Sequence, residues 1–87
     1  MTFYLYFARC ADGSLYAGSC SNLQNREDEH NKGKAAKFTR ERRPVKIVYT
    51  EEYADLLSAM RREQQIKGWR REKKERLLQG KHPTKDL

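Results

Sequence analysis

Eighty-seven residues, 37% hydrophobic and 36% charged, allow one small domain with a modest core, since a chain of this size buries only about 60–65% of its unfolded surface. Nineteen Lys+Arg against twelve Asp+Glu give a formal charge of +7, which favours an anionic partner, nucleic acid ahead of an anionic membrane surface. No apolar run approaches the roughly 18 residues of a membrane-spanning helix, and Met1-Thr2-Phe3-Tyr4 lacks the charged start of a signal peptide, so the chain is expected to be cytoplasmic, with no membrane partner.

Thr2 to Arg9 reads as a strand with apolar side chains on both faces: Phe3, Leu5 and Phe7 on one, Tyr4, Tyr6 and Ala8 on the other. Such a strand is covered on both faces, or covered on one and lining a cleft on the other. Ala11-Asp12-Gly13 is a turn signal, and Ser14 to Cys20 is the return strand of a hairpin. Gly18 in its interior marks a close approach to the backbone. A two-residue Asp12-Gly13 loop would put Tyr6 and Tyr16 on opposite faces. A three-residue loop, Ala11-Asp12-Gly13 with Gly13 left-handed, puts them on one face. In that register Gly18 lies opposite Tyr6 and leaves a hollow beside its hydroxyl. The sequence leaves both registers open, and only the second builds a site. Cys10 lies near the turn and Cys20 at the far end. About five or six strand residues at ~3.3 Å each separate them, beyond disulfide reach. Without the further ligands of a zinc site, they are ordinary half-buried thiols.

Ser21 or Asn22 caps a helix that Gly33 ends. Leu23 is its only large aliphatic residue, and positions 23, 26, 27 and 30 form its inward stripe. That stripe turns Arg26 and His30 toward the sheet. Taken alone, such a pair is more ordinarily a surface feature, with Arg26 matched to nearby acids. From Lys32 to Lys46 there are seven basic residues and one acid, with Phe38 interleaved. This reads as a loop that tracks a phosphate backbone, through Lys34, Lys37, Arg40, Arg42 and Arg43. A merely solvated loop is the alternative.

Val45 to Thr50 alternates and is rich in β-branched residues, a third strand. Asp55 caps a helix that runs to about Gly68. Leu56, Ala59, Met60, Glu63 and Ile66 trace one helical face. Glu63 is the exception on it, and a carboxylate in a core stripe is costly unless paired or metal-bound. An ordinary Glu63–Lys67 pair, worth about a few tenths of a kcal/mol, is the competing explanation. A last helix, roughly Arg70 to Gln79, anchors through Leu77 and Leu78, with Trp69 at the junction. Lys67 and Arg70 extend the basic surface. Residues 1–80 are expected to form a single domain and 81–87 a polar tail.

Taken together, Tyr4-Leu5-Tyr6, Tyr16-Ala17-Gly18, Arg26, His30 and Arg61-Arg62-Glu63 resemble the GIY-YIG nuclease domain, closest to its small stand-alone bacterial members. The resemblance runs from about Phe3 to Leu78. It implies an α+β fold, a small three-stranded antiparallel β-sheet flanked by three helices. It implies catalytic roles for Tyr6, Tyr16, Arg26, His30 and Glu63, with Glu63 binding a single Mg²⁺ or Mn²⁺. Hydrolysis of a phosphodiester in DNA, with structured or damaged DNA as a candidate substrate, would use Arg26 as a cationic fork on the non-bridging oxygens. Tyr6 would take a proton from water, a poor task for a phenol of pKa about 10 unless cations lower it. Tyr16 and His30 would position the water or relay the proton. Tyr4 replaces the first motif's opening glycine, Ala17 the middle residue of the second, and no asparagine follows Asn31.

Glu27-Asp28-Glu29, beside Arg26, would oppose an anionic substrate if the three acids face it and would be neutral if they point away. Two other functions compete with an endonuclease. One is a nucleic-acid-binding module that lacks efficient cleavage; the other is an interaction domain for an acidic protein. Family nucleases usually take specificity from an attached domain, so a protein partner that supplies specificity is also expected.

Overall fold

A computed structural model describes residues 1–80, so the polar tail expected at 81–87 lies outside the described residues. The elements run β1 (Phe3–Cys10), β2 (Leu15–Cys20), α1 (Leu23–Asn31), α2 (Lys37–Arg40), β3 (Val45–Tyr53), α3 (Leu56–Lys67) and α4 (Arg71–Leu78). The strands form one antiparallel sheet in the order β2-β1-β3. This is the α+β architecture the sequence implies, with three substantial helices. The fourth, α2, is a single turn inside the basic stretch expected to be loop throughout. Among the described residues no helix is long and apolar enough to cross a membrane.

The hairpin takes the three-residue loop. Cys10 N donates to Ser14 O and Gly13 N to Cys10 O, each at 2.9 Å, and Gly13 has φ +88°, which side chains disfavour. Tyr6 therefore faces Gly18, Ala8 faces Tyr16, and the two tyrosines share a face. The space beside Gly18 is not a hollow, however. A Cβ there would lie 2.5 Å from the Tyr6 hydroxyl oxygen and 2.6 Å from its Cζ, so the Tyr6 phenol itself lies against the bare backbone.

β1 is covered on both sides. Leu5, Phe7 and Ala17 pack against Ile66 and Leu77 of α3 and α4. On the other face Tyr6, Ala8, Cys10, Cys20 and Val45 form a second cluster bordered by Tyr16 and Leu23. Both cysteines are free thiols. They are only 3% and 5% exposed, more enclosed than the half-buried state expected of them.

With one large aliphatic residue, α1 has little to dock by burial, and hydrogen bonds hold it instead. Asn22 caps it at Asn25 N, 2.9 Å. Glu27 Oε2 accepts from Ile47 N at 2.7 Å, and one turn later Asn31 clasps Val45, donating to its carbonyl and accepting from its N–H (2.8 and 2.7 Å). Edge strand β3 thus has donors satisfied by side chains rather than left open.

β3 runs three residues past the expected end at Thr50. Glu51 anchors the extension, accepting from the hydroxyls of Tyr49 and Tyr53, two residues to either side, and from Arg62 through two bonds. That anchor also turns α3. Asp55 caps the helix as expected, but its sheet-facing stripe is Ala59, Arg62, Glu63 and Ile66. Leu56 and Met60, expected in the stripe, are 43% and 47% exposed. α4 is pinned over the hairpin loop by the two-bond Arg9–Glu75 pair and by Arg71 donating to Gly13 O.

Replacing Gly18 by alanine should therefore cost roughly 1–3 kcal/mol of unfolding free energy through overpacking against Tyr6. Urea unfolding checks this: an unchanged midpoint would mean that the phenol is not held against Gly18.

Candidate functional site

The site grows outward from His30. The Tyr6 hydroxyl lies 2.7 Å from His30 Nε2, and His30 Nδ1 lies 2.7 Å from Thr39 Oγ1. Thr39 donates its only hydroxyl proton to Ala36 O at 3.0 Å. It must therefore accept from Nδ1–H, which leaves Nε2 bare to accept the Tyr6 proton. His30 and Thr39 are 1% and 0% exposed. The imidazole sits edge-on between the two motif tyrosines, 5.8 Å from the Tyr6 ring and 5.3 Å from the Tyr16 ring. Thr39 gave no sequence signal: it lies nine residues beyond His30 in a stretch dominated by charge. Only the requirement that a buried imidazole satisfy both nitrogens points to such a residue.

In front of this relay lies a cleft of about 210 Å³ lined by Tyr16, Arg26, Glu29, His30, Lys34 and Ala35. Arg26 Nε pairs with Glu29 Oε1 at 3.0 Å, and its Nη1 approaches Ser19 O at 3.5 Å. Tyr16 stacks on Phe38 (6.0 Å, 27°), whose ring carries the Arg42 guanidinium at 3.9 Å. Glu63 stands apart. It projects from α3 on the opposite face of the sheet, where Oε1 accepts from the Ser19 hydroxyl and Oε2 pairs with Lys67 Nζ, both at 2.7 Å. The Lys67 ammonium lies 5.7 Å from the centre of the Tyr16 ring. Of the residues expected around one cleft, Tyr16, Arg26 and His30 line it, Tyr6 lies behind it, and Glu63 joins through Ser19 and Lys67 at the β2 edge.

The charged neighbours sort themselves by partner. Glu27 is spent on Ile47 N and Asp28 on Gln24, so only Glu29 of the acidic triplet faces the cleft. Among the basic residues, Lys34 lines it, and Lys37 and Arg40 are exposed. Arg42 is bound to Asp12 and to Phe38 O, and Arg43 to the carbonyls of Arg40 and Asn31. Both serve the fold, which is why the run looked freer in sequence than it is. Arg70 lines a second cleft of about 340 Å³ with Glu72, Lys73 and Arg76.

Burial raises the Tyr6 pKa well above its ordinary value near 10; the Arg26 guanidinium pulls the other way and loses. The lowering by cations that such a role would need is thus outweighed, and the Tyr6 proton needs an acceptor, which His30 Nε2 provides. Burial first and Arg26 second hold the His30 pKa below its ordinary 6.5, against the pull of Glu29. The imidazole is neutral at pH 7.

Among the described residues no three His, Cys, Asp or Glu side chains gather as a ligand set. A single carboxylate suits a hard cation that keeps most of its waters. Glu63 is such a group, with one oxygen fixed by Ser19 and the other, among the described residues, held by Lys67 alone. It fits Mg²⁺ or Mn²⁺ provided Lys67 yields.

Residues 2–76 match the model of the GIY-YIG catalytic domain. The chain belongs to the GIY-YIG family. A UPF0213 protein of Bacillus pumilus is 51% identical over 72 residues, covering 83% of this chain and 74% of the relative. One from Staphylococcus aureus is 44% identical over 75 residues, covering 86% and 92%. The solution structure of a UPF0213 protein from Bacillus halodurans superposes with a TM-score of 0.59 at 38% identity, over 95% of this chain and 88% of that one. The solution structure of a protein from E. faecalis gives 0.61 at 34%, over 92% and 85%. The domain thus sits in the GIY-YIG nuclease superfamily, which implies an interaction with nucleic acid.

The depressed pKa of His30 in the GIY-YIG core has a measurable consequence. Below about pH 6.5 the unfolded chain takes up a proton at position 30 that the folded chain refuses, so stability should decline as pH falls from 6.5 toward the folded pKa. The paired carboxylates Glu51 and Glu75, whose pKa values are lowered, act only in a more acidic window. Urea unfolding at pH 7.5 and 5.5 should show a larger loss for the native chain than for His30→Gln; equal losses would remove the buried neutral imidazole.

Proposed function

We propose that this GIY-YIG domain is a divalent-metal-dependent endonuclease that hydrolyses phosphodiester bonds in DNA, with structured or damaged DNA as the favoured substrate class. The Tyr6–His30–Thr39 relay supports it most directly, because its fixed tautomer gives the Tyr6 proton a ready acceptor behind a cleft that presents Arg26. A water at the cleft loses a proton to Tyr6 as the Tyr6 O–H bond breaks and an Nε2–H bond forms on His30. The resulting hydroxide attacks phosphorus, the bond to the leaving oxygen breaks, and that oxygen takes a proton from solvent. The imidazolium keeps its Nδ1–H bond to Thr39 throughout. Arg26 supplies two donors to the non-bridging oxygens as charge builds, and Tyr16 orients the water. Glu63 would hold Mg²⁺ or Mn²⁺, which when bound neutralises phosphate charge and eases departure of the leaving oxygen. Lys34, Lys37, Arg40, Lys67 and Arg70 provide backbone contacts, with Arg42 and Arg43 contributing field from fixed positions.

A second reading is favoured by the two ion pairs. Arg26 is matched by Glu29 and Glu63 by Lys67, the state expected of a binding module with a silent site.

Cleavage of branched, flapped and nicked DNA under Mg²⁺ or Mn²⁺ separates the two. Arg26→Ala should lower the rate by about 10²–10³ while binding weakens only a few-fold, since many backbone contacts share the affinity. Glu63→Ala should abolish cleavage and stay folded. A native chain that binds these substrates yet cuts none under either metal leaves the binding module standing. Glu29→Gln should tighten DNA binding roughly two- to fivefold at low salt, because it removes the anion that competes for Arg26. Asp28→Asn, on the solvent side, should change little, and equal effects of the two would deny Glu29 its place.

A further inference from the structure

We propose that Lys67 is the resident counter-ion of Glu63 and is displaced by the divalent cation, so that metal binding releases a lysine toward the nucleic-acid backbone. The inference rests on the metal role proposed for Glu63.

The two halves of the pair are built differently. Glu63 is enclosed, its side chain 14% exposed, and its far oxygen is fixed by the Ser19 hydroxyl. Lys67 is 43% exposed, on a flexible four-carbon stem, and its other neighbour is the Tyr16 ring at 5.7 Å. A pair made for the fold looks otherwise. In Arg62–Glu51 both side chains are enclosed, at 16% and 18%, and two guanidinium bonds plus two tyrosine hydroxyls saturate the carboxylate. Glu63–Lys67 has a rigid acceptor and a mobile cation, the asymmetry an exchangeable site requires.

Displacement changes what Lys67 can do. Paired, it is neutralised and offers nothing to a phosphate. Released, it remains tethered beside Tyr16, which lines the cleft together with Arg26 and Lys34. The cation takes over the neutralisation of Glu63 that Lys67 had supplied, and the freed ammonium adds its own positive charge. Occupancy at Glu63 and affinity for an anionic backbone are thereby coupled through one side chain. Lys67 thus contacts the backbone only in the metal-bound form.

The test titrates Mn²⁺ into the full chain and follows the free-ion EPR signal. Lys67→Met should bind roughly three- to tenfold tighter than the native chain, the range set by loss of one partly exposed ion pair and of repulsion between cations. Lys67→Arg, which keeps the charge, should bind like the native chain, and Glu63→Gln should not bind. In parallel, Mg²⁺ should move the NMR signals of the Lys67 side chain in the native chain. Binding through Glu63 that is the same or weaker in Lys67→Met overturns the displacement while leaving the nuclease reading intact. No binding by the native chain or by Lys67→Met overturns both the displacement and the metal role. Tighter binding by Lys67→Met from a protein that cuts no DNA supports the displacement and fails the nuclease reading alone.

Discussion

The structure depends on the pair of hydrogen bonds that His30 makes, to Tyr6 on one side and to Thr39 on the other. An imidazole this enclosed must have both nitrogens satisfied, and leaving one unmet costs about 1–3 kcal/mol. That is a large fraction of the stability a small domain has. The same two bonds join β1, through Tyr6, to two elements with little apolar surface of their own, α1 through His30 and α2 through Thr39. Docking of α1 and assembly of the relay are thus one event. Glu27 and Asn31 fix the helix along β3, which sets how far His30 reaches toward the sheet. Where a larger protein would hold its chemistry on a separately stabilised scaffold, here the polar groups of the site are also the scaffold.

A second constraint is charge. The two charged groups expected in the chemistry itself are each matched by a residue one helical turn away, Arg26 by Glu29 and Glu63 by Lys67. Each pair has at least one exposed member and is weak on its own, so it holds side chains in place without locking them. On the function proposed above, a phosphate would compete with Glu29 and a divalent cation with Lys67 by the same electrostatics. Partly enclosed charges are thereby kept from standing uncompensated, and the resting site is nearly neutral inside a chain of formal charge +7. Among the described residues, basic side chains that make no ion pair, Lys34 in the cleft and Lys37 and Arg40 outside it included, supply longer-range attraction.

Much of this was legible in the sequence, for physical reasons that differ by residue. The strands, the three longer helices, the Asp55 cap and a cap at Ser21 or Asn22 are local signals, and the structure shows them, with Asn22 as the cap. Tyr16, Arg26 and His30 were assigned from helix phase and motif spacing, and the structure brings them to one cleft. The partners were not legible. Thr39 is a polar residue in a polar run, and its burial follows from where α2 lands. The outward turn of Leu56 and Met60 comes from Glu51 and Arg62, eleven residues apart and joined only in the folded sheet. Arg42 and Arg43 looked like free phosphate ligands because composition reports charge and not what already holds it.

The hairpin loop shows how small a feature carries the arrangement. Side chains alternate along a strand with a period of two, so a one-residue change of register turns a whole strand over. Ala11-Asp12-Gly13 sets the register in which Ala8 meets Tyr16 and Tyr6 meets Gly18. Tyr16 then borders His30, and the Tyr6 phenol lies across bare backbone with its hydroxyl at Nε2. Shortened by one residue, the loop would send Tyr16 to the α3 side and bring Ser19, the residue that orients Glu63, to the other. Gly18 could not follow either, since any neighbour in its place would bring a Cβ into the Tyr6 ring. The three-residue turn, the missing side chain at Gly18 and the two tyrosines are consequently one specification, and a change in any of them is felt at the imidazole.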